Sequence, residues 1–134
     1  MVMFKVLDIA GSAMNAQMVR LNTTASNMAN ANTVASSEAG AYRAKQPVFA
    51  TLLRDASDVG GVEVSGIAES DAAIEKRYEP GNPMADKEGY VYLSNVNGVE
   101  EMANMISASR SFQNNAEIFS TSKTLMLRTL QLGR

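Results

Sequence analysis

Large apolar residues return every seven positions at the start of the chain, at Leu7, Met14, Leu21 and Met28. Ala10, Gln17, Thr24 and Ala31 stand between them, so the seam alternates large side chains with small or polar ones. From Phe4 to about Ala35 there is no Pro and only one Gly, Gly11, and the pattern predicts an amphipathic helix over that range. At ~1.5 Å per residue such a helix is roughly 48 Å long. That exceeds what a chain of 134 residues needs to cover its own core, so part of the helix is expected to contact something else.

The pattern changes between about Glu38 and Val96. All three prolines (Pro47, Pro80, Pro83) and most of the nine glycines fall in this stretch. Strand-like runs occur in "YRAKQPVFATLL", "GVEVSGI", "AAIEKRYE" and "GYVYLS", and the period is two at Val62 and Val64 and again at Tyr90 and Tyr92. The prediction is a small β-rich insert, with "EPGNPMADKEG" as a turn loop on its surface and its strand order open.

Helical spacing resumes after "SNVNG" and continues to Leu132. Asn97 has the right side chain for an N-cap, Glu100 completes a capping-box pattern, and Glu101 puts negative charge where a helix dipole favours it. Apolar positions follow at Met102, Met105, Ile106, Phe112, Phe119, Met126 and Leu130, with a second line at Ile118, Leu125 and Leu132. The predicted fold is α+β, with two long helices forming an antiparallel hairpin or coiled coil around a β-rich insert. Its segments are 1–36 (first helix), 37–97 (insert) and 98–134 (second helix).

Composition removes most chemistry. Neither Cys nor His is present, which excludes thiolate nucleophiles, imidazole bases and Cys/His zinc sites. The net charge of −2 is spread along the chain, with no basic stripe to hold a nucleic acid. No apolar run approaches the ~20 residues of a membrane span, and the helical pattern at the start argues against a cleavable secretory signal. Asp55 and Asp58, or Asp86 and Glu88, sit in turn-like stretches without companion ligands. Arg43, Lys45, Arg54, Lys76 and Arg77 read as scattered surface charge. No catalytic residue, cofactor or metal is expected.

The first helix also carries Asn at 15, 22, 27, 30 and 32 among many alanines. Asn is a mediocre helix former because its amide competes for backbone hydrogen bonds. An exposed face would be better served by Lys and Glu, and a dry core would leave amides unsatisfied. Small residues with scattered amides suit helices packed closely against neighbouring subunits, where an amide sets register. A helix-hairpin adaptor that docks a single partner is the alternative reading.

The segment "SNMANANT", followed by "AYRAKQPVF", resembles the N-terminal signature of the bacterial flagellar rod and hook family, with Met28 where the family more often has Leu. "EGYVYLSNVNGVEEMANMISASRSFQNNAEIFSTSKTLMLRTLQLGR" is similar to the C-terminal segment of its proximal-rod members, and the short insert fits that branch better than the distal-rod and hook members. The resemblance implies a structural subunit of the proximal rod, exported through the flagellar type III apparatus without a cleaved signal and assembled in the periplasm. It implies a tube built from the terminal helices, with the insert outward.

Implied partners are copies of the same chain, proximal FlgB- and FlgF-type and distal FlgG-type rod proteins, a FliE-type adaptor and the export apparatus, with no nucleic acid and no insertion into a membrane. The expected interface comprises Leu7, Met14, Leu21 and Met28 with Met105, Phe112, Phe119, Met126 and Leu130 for packing. Asn27, Asn30 and Asn104 are expected at polar contacts between subunits. Long helices without an internal cover are marginal in water, so the ends are expected to be largely disordered in the free subunit and to fold on docking.

Overall fold

A computed structural model describes residues 2–55 and 58–133. In chain order the elements are α1 (Val2–Ala29), β1 (Val34–Ala35), β2 (Lys45–Asp55), β3 (Asp58–Glu69), β4 (Lys76–Tyr78), β5 (Tyr90–Leu93) and α2 (Gly98–Leu132). Two helices of 28 and 35 residues enclose the strands in sequence, which is the expected α+β arrangement.

The helices pack along one another, and α2 starts beside the last turns of α1. Arg20 donates to the Asn104 side-chain oxygen over 3.4 Å, and Thr24 faces Glu101 across one cleft. Only five residues of α1 lie beyond Thr24, so the long contact requires α2 to run back toward the start of α1. The pair is therefore an antiparallel hairpin.

The strands form two separate sheets. In the three-stranded one, of order β1-β5-β4, Val34 and Ala35 pair with Leu93 and Tyr92, and Lys76–Tyr78 pairs with Tyr90–Tyr92, all antiparallel. This sheet joins the end of α1 to the start of α2, with the fully buried Val91 at its centre. Ser94 ties the β5–α2 junction to the end of α1 by donating to the Ala31 carbonyl over 2.7 Å.

The other sheet is a long ribbon of β2 and β3 laid against α1. Pro47 is tolerated there because a two-stranded ribbon leaves each strand one free edge. At the far end of the ribbon the Lys5 ammonium meets Asp58 at 2.8 Å, and Arg54 pairs with Asp8. Gly61, at φ +143°, lies where an added Cβ would run into the Ser12 side chain, so only glycine lets the ribbon come this close.

Two local expectations need correction. The first helix stops at Ala29 rather than near Ala35. Its exit tightens: the Asn30 N–H reaches the carbonyls of both Ser26 (3.1 Å) and Asn27 (3.2 Å), and the Asn30 amide folds back onto Ser26 O at 2.8 Å. Polar side chains that compete with the ladder thus end the helix and free Val34 and Ala35 for the sheet. At the other helix, Asn97 accepts from the N–H groups of Val99 (3.1 Å) and Glu100 (3.3 Å), as an N-cap should. The return bond from the Glu100 carboxylate that would complete a capping box is not formed among the described residues.

Candidate assembly interface

Full burial on the helices falls on small and polar residues. On α1 they are Ala10, Ala16, Thr23, Thr24 and Asn27, and on α2 only Glu101 and Ala108. The large heptad residues Leu7, Met14, Leu21 and Met28 are half-buried, as are Met105, Phe112 and Met126 on α2. Phe119 and Leu130 are exposed. Small side chains let two helix backbones approach closely, and the larger ones are then pushed to the rim, where one side of each remains open.

Asn27 is buried, with both its amide nitrogen and its amide oxygen bonded within the chain. Its NH2 donates to the Lys45 carbonyl (2.7 Å), while its oxygen accepts from the Lys45 N–H (2.9 Å) and the Tyr42 hydroxyl (2.8 Å). The Tyr42 hydroxyl also shares a 3.1 Å bond with Ser26. The side chain thus acts as a strand partner, clamping the first residue of the ribbon to α1. Asn95 performs a matching task, accepting from Ala44 N–H at 2.7 Å and donating to the carbonyls of Ser70 (3.2 Å) and Ala72 (3.0 Å). Asn30 and Asn104 are half-buried.

Four other helical polar residues lie low on their own helix. Thr23, Asn115, Thr124 and Thr129 each donate to the carbonyl four residues earlier, at 2.7–3.0 Å. Such back-bonding satisfies the polar groups without a long side chain and leaves the helix slim. One buried acceptor, Gln17 Oε1, has no partner among the described residues.

Several charged residues of the insert are engaged by neighbouring groups. Arg43 donates to the carbonyls of Ser70 and Ala72, Lys45 and Lys76 lie over the rings of Tyr42 and Tyr90, and Arg77 pairs with Glu79. The Lys5 hydrogen bond, more than any other contact, holds the Asp58 carboxyl below its ordinary range. Asp86 organises the turn before β5, accepting from the N–H groups of Glu88 and Tyr90.

Large apolar side chains stay in solvent along both helices. They include Phe4 and Met18 on α1, and Val99, Met102, Ile106, Ile118, Leu125, Leu127 and Leu130 on α2. Sequence reasoning identified the helices that carry this surface but missed Tyr42, Lys45, Asn95 and the Ser12–Gly61 approach. The signal for the first two was the "AYRAKQP" segment beside a helix end rich in Asn, where an amide can serve as an extra strand rung.

Two long helices with exposed apolar side chains and a small bridging sheet make up this architecture, and comparison with known proteins names its class. Residues 7–34 match the family described as flagella basal body rod protein, and residues 87–132 match the flagellar basal body rod FlgEFG protein C-terminal family. The flagellar basal-body rod protein FlgC of Escherichia coli O157:H7 is 49% identical over 134 residues, covering 100% of both chains. That of Yersinia enterocolitica is 48% identical, again over 100% of both chains. That of Buchnera aphidicola subsp. Acyrthosiphon pisum is 40% identical over 99% of both. The chain belongs to the flagellar basal-body rod family, as a rod protein of the FlgC type. It is a structural protein and not an enzyme.

Proposed function

We propose that this chain polymerises through its two long helices into the proximal rod, the segment of the drive shaft that passes torque from motor to hook and filament. The observation that carries this reading is surface area. The chain exposes 8894 Å² at a mass of 14.3 kDa. A compact monomer of that mass exposes about 6,800 Å², so the excess of roughly 2,000 Å² is the size of a stable protein–protein interface. Much of it is the apolar outer surface of α1 and α2, which suits burial between neighbours. Heterologous contacts of this kind repeat into a helical tube rather than closing a pair.

The same reading has the chain exported unfolded through the flagellar type III apparatus and assembled in the periplasm without a cleaved signal. FlgB-, FlgF- and FlgG-type rod proteins and a FliE-type adaptor are the expected neighbours. In the free subunit the exposed C-terminal end of α2 is largely disordered and folds on docking.

The test is removal of residues 124–134 from the chromosomal copy, followed by swimming assays and electron microscopy of basal bodies. The expected result is loss of motility and of the rod beyond the missing joint, with the ribbon and sheet still folded. Normal swimming by the truncated strain would overturn the proposal.

A further inference from the structure

The two edges of the ribbon are guarded unequally. Asn27 takes both backbone groups of Lys45, at 2.7 and 2.9 Å, so Lys45 turns them away from β3. Alternation turns the backbone groups of Pro47, Phe49, Thr51 and Leu53 to the same outer edge, because the pairing register leaves β2 unbroken as far as Leu53. Pro47 has no N–H to offer there. The outer edge of β3 is instead held by α1, where the Val62 N–H donates to Ser12 Oγ over 3.1 Å. Among the described residues, no hydrogen bond from outside the ribbon reaches the backbone of Phe49, Thr51 or Leu53.

The stretch with the open edge is "VFATLL", residues 48–53, six positions without a charge. Val48 and Leu52 fall on one face of β2 and Phe49 and Leu53 on the other, and all four are exposed. α2 stands off from Pro47 and Phe49 across a cleft of about 370 Å³. An apolar, uncharged edge strand is a template for another strand, and a ribbon of two strands is steadied by further ones.

We propose that the open edge of β2 pairs antiparallel with the same edge of a second copy of this chain, joining two free subunits through a four-stranded sheet of order β3-β2-β2-β3. The stretch is self-complementary. Centring the pair on Thr51 sets Thr51 against Thr51 and Phe49 against Leu53 twice, a hydroxyl pair flanked by two apolar pairs. Pro47 then meets Asp55 at each end, so the ladder stops where a donor is missing. Arg54 is paired with Asp8, so each β2 offers Lys45 at its start and Asp55 at its end, and antiparallel pairing brings the base of one copy toward the acid of the other. A two-fold contact uses the same edge on both copies and leaves β3, held by α1, outermost, so it closes at two. Six residues a side is well below the roughly 20–30 of a standard interface, so the pair is weak and reversible. The helical surfaces assigned to rod assembly stay free in this pair, which does not depend on that reading.

The chain has no Cys, so one introduced thiol reports one contact. Thr51→Cys puts two thiols beside the two-fold axis, with Cα atoms about 5.5 Å apart and within reach of a disulfide. The purified full chain carrying it is incubated with oxidised glutathione, and the covalent dimer is followed on non-reducing gels. Glu63→Cys, exposed on β3 and opposite Ala50 within the ribbon, is the control. The dimer is expected to form about tenfold faster from Thr51→Cys than from the control, and Leu53→Lys in the same background should lower it to the control rate.

Equal rates for Thr51→Cys and Glu63→Cys, or a rate that Leu53→Lys leaves unchanged, would overturn the pairing and leave the rod reading standing, since that is read separately by the truncation above. Sedimentation of the unaltered chain checks closure: growth past two copies that Leu53→Lys stops would overturn the two-fold pair.

Discussion

The first helix is gripped on two sides and the second on one. Along α1 the ribbon and α2 together bury Ala10, Ala16, Thr23, Thr24 and Asn27, whereas the longer α2 buries only Glu101 and Ala108. Both are amphipathic by sequence and similar in composition, so the contrast comes from what lies beside them. α1 holds the subunit together, and α2 is its outward surface. The same substitution therefore has different consequences on the two helices.

The contrast is strained most by Asn27→Ala. It removes three hydrogen bonds and leaves both backbone groups of Lys45 without partners, so the free subunit should lose roughly 2–4 kcal/mol, read from urea unfolding by circular dichroism. A loss below the scale of a single hydrogen bond would show that the ribbon docks without this clamp. Next comes Gly61→Ala, where positive φ and the Ser12 side chain both oppose a Cβ. About 1–3 kcal/mol is expected, with faster hydrogen exchange in β3 than in the sheet.

Asn97→Ala removes the cap of α2 and should cost about 1 kcal/mol, because the cap satisfies backbone N–H groups locally, in addition to the packing of that helix end. Leu130→Ser on the bare end of α2 should leave the free subunit within about 0.5 kcal/mol of wild type while impairing motility. A large loss of stability there would mean that this end is covered within the chain.

The smallest effect is electrostatic. Asp58 titrates below its ordinary value of 3.8 because Lys5 bonds its charged form. Its contribution is therefore present above that value and disappears as pH falls through the lower folded value. The difference in melting temperature between wild type and Lys5→Met should hold at neutral pH and shrink as pH falls through 3.8 and below. A constant difference would assign the effect of Lys5 to packing.

How legible these features were depended on how local they are. The start of α2 was readable because an N-cap is decided within four residues. The end of α1 was misplaced by six residues because Asn30 and Thr33 carry helical spacing while their side chains rewrite the backbone bonds, and because β1 exists only when β5 is beside it. The strand runs of the insert were visible, but their division into a ribbon and a separate sheet was not. The heptad of Leu7, Met14, Leu21 and Met28 marked the correct helix and the rim of its contact, while the closest contact went to the small residues between.

Sequence by itself determined the helices, the strand-forming stretches, the absence of Cys and His chemistry and the family, because each follows from residue type and spacing along the chain. Tertiary structure alone decided that Asn27 clamps a strand, that Gly61 admits the ribbon against Ser12, and that Glu101 is enclosed while the far end of α2 stands free. Those outcomes depend on which surfaces meet across tens of residues, and a periodic pattern specifies a face of a helix without specifying what covers it.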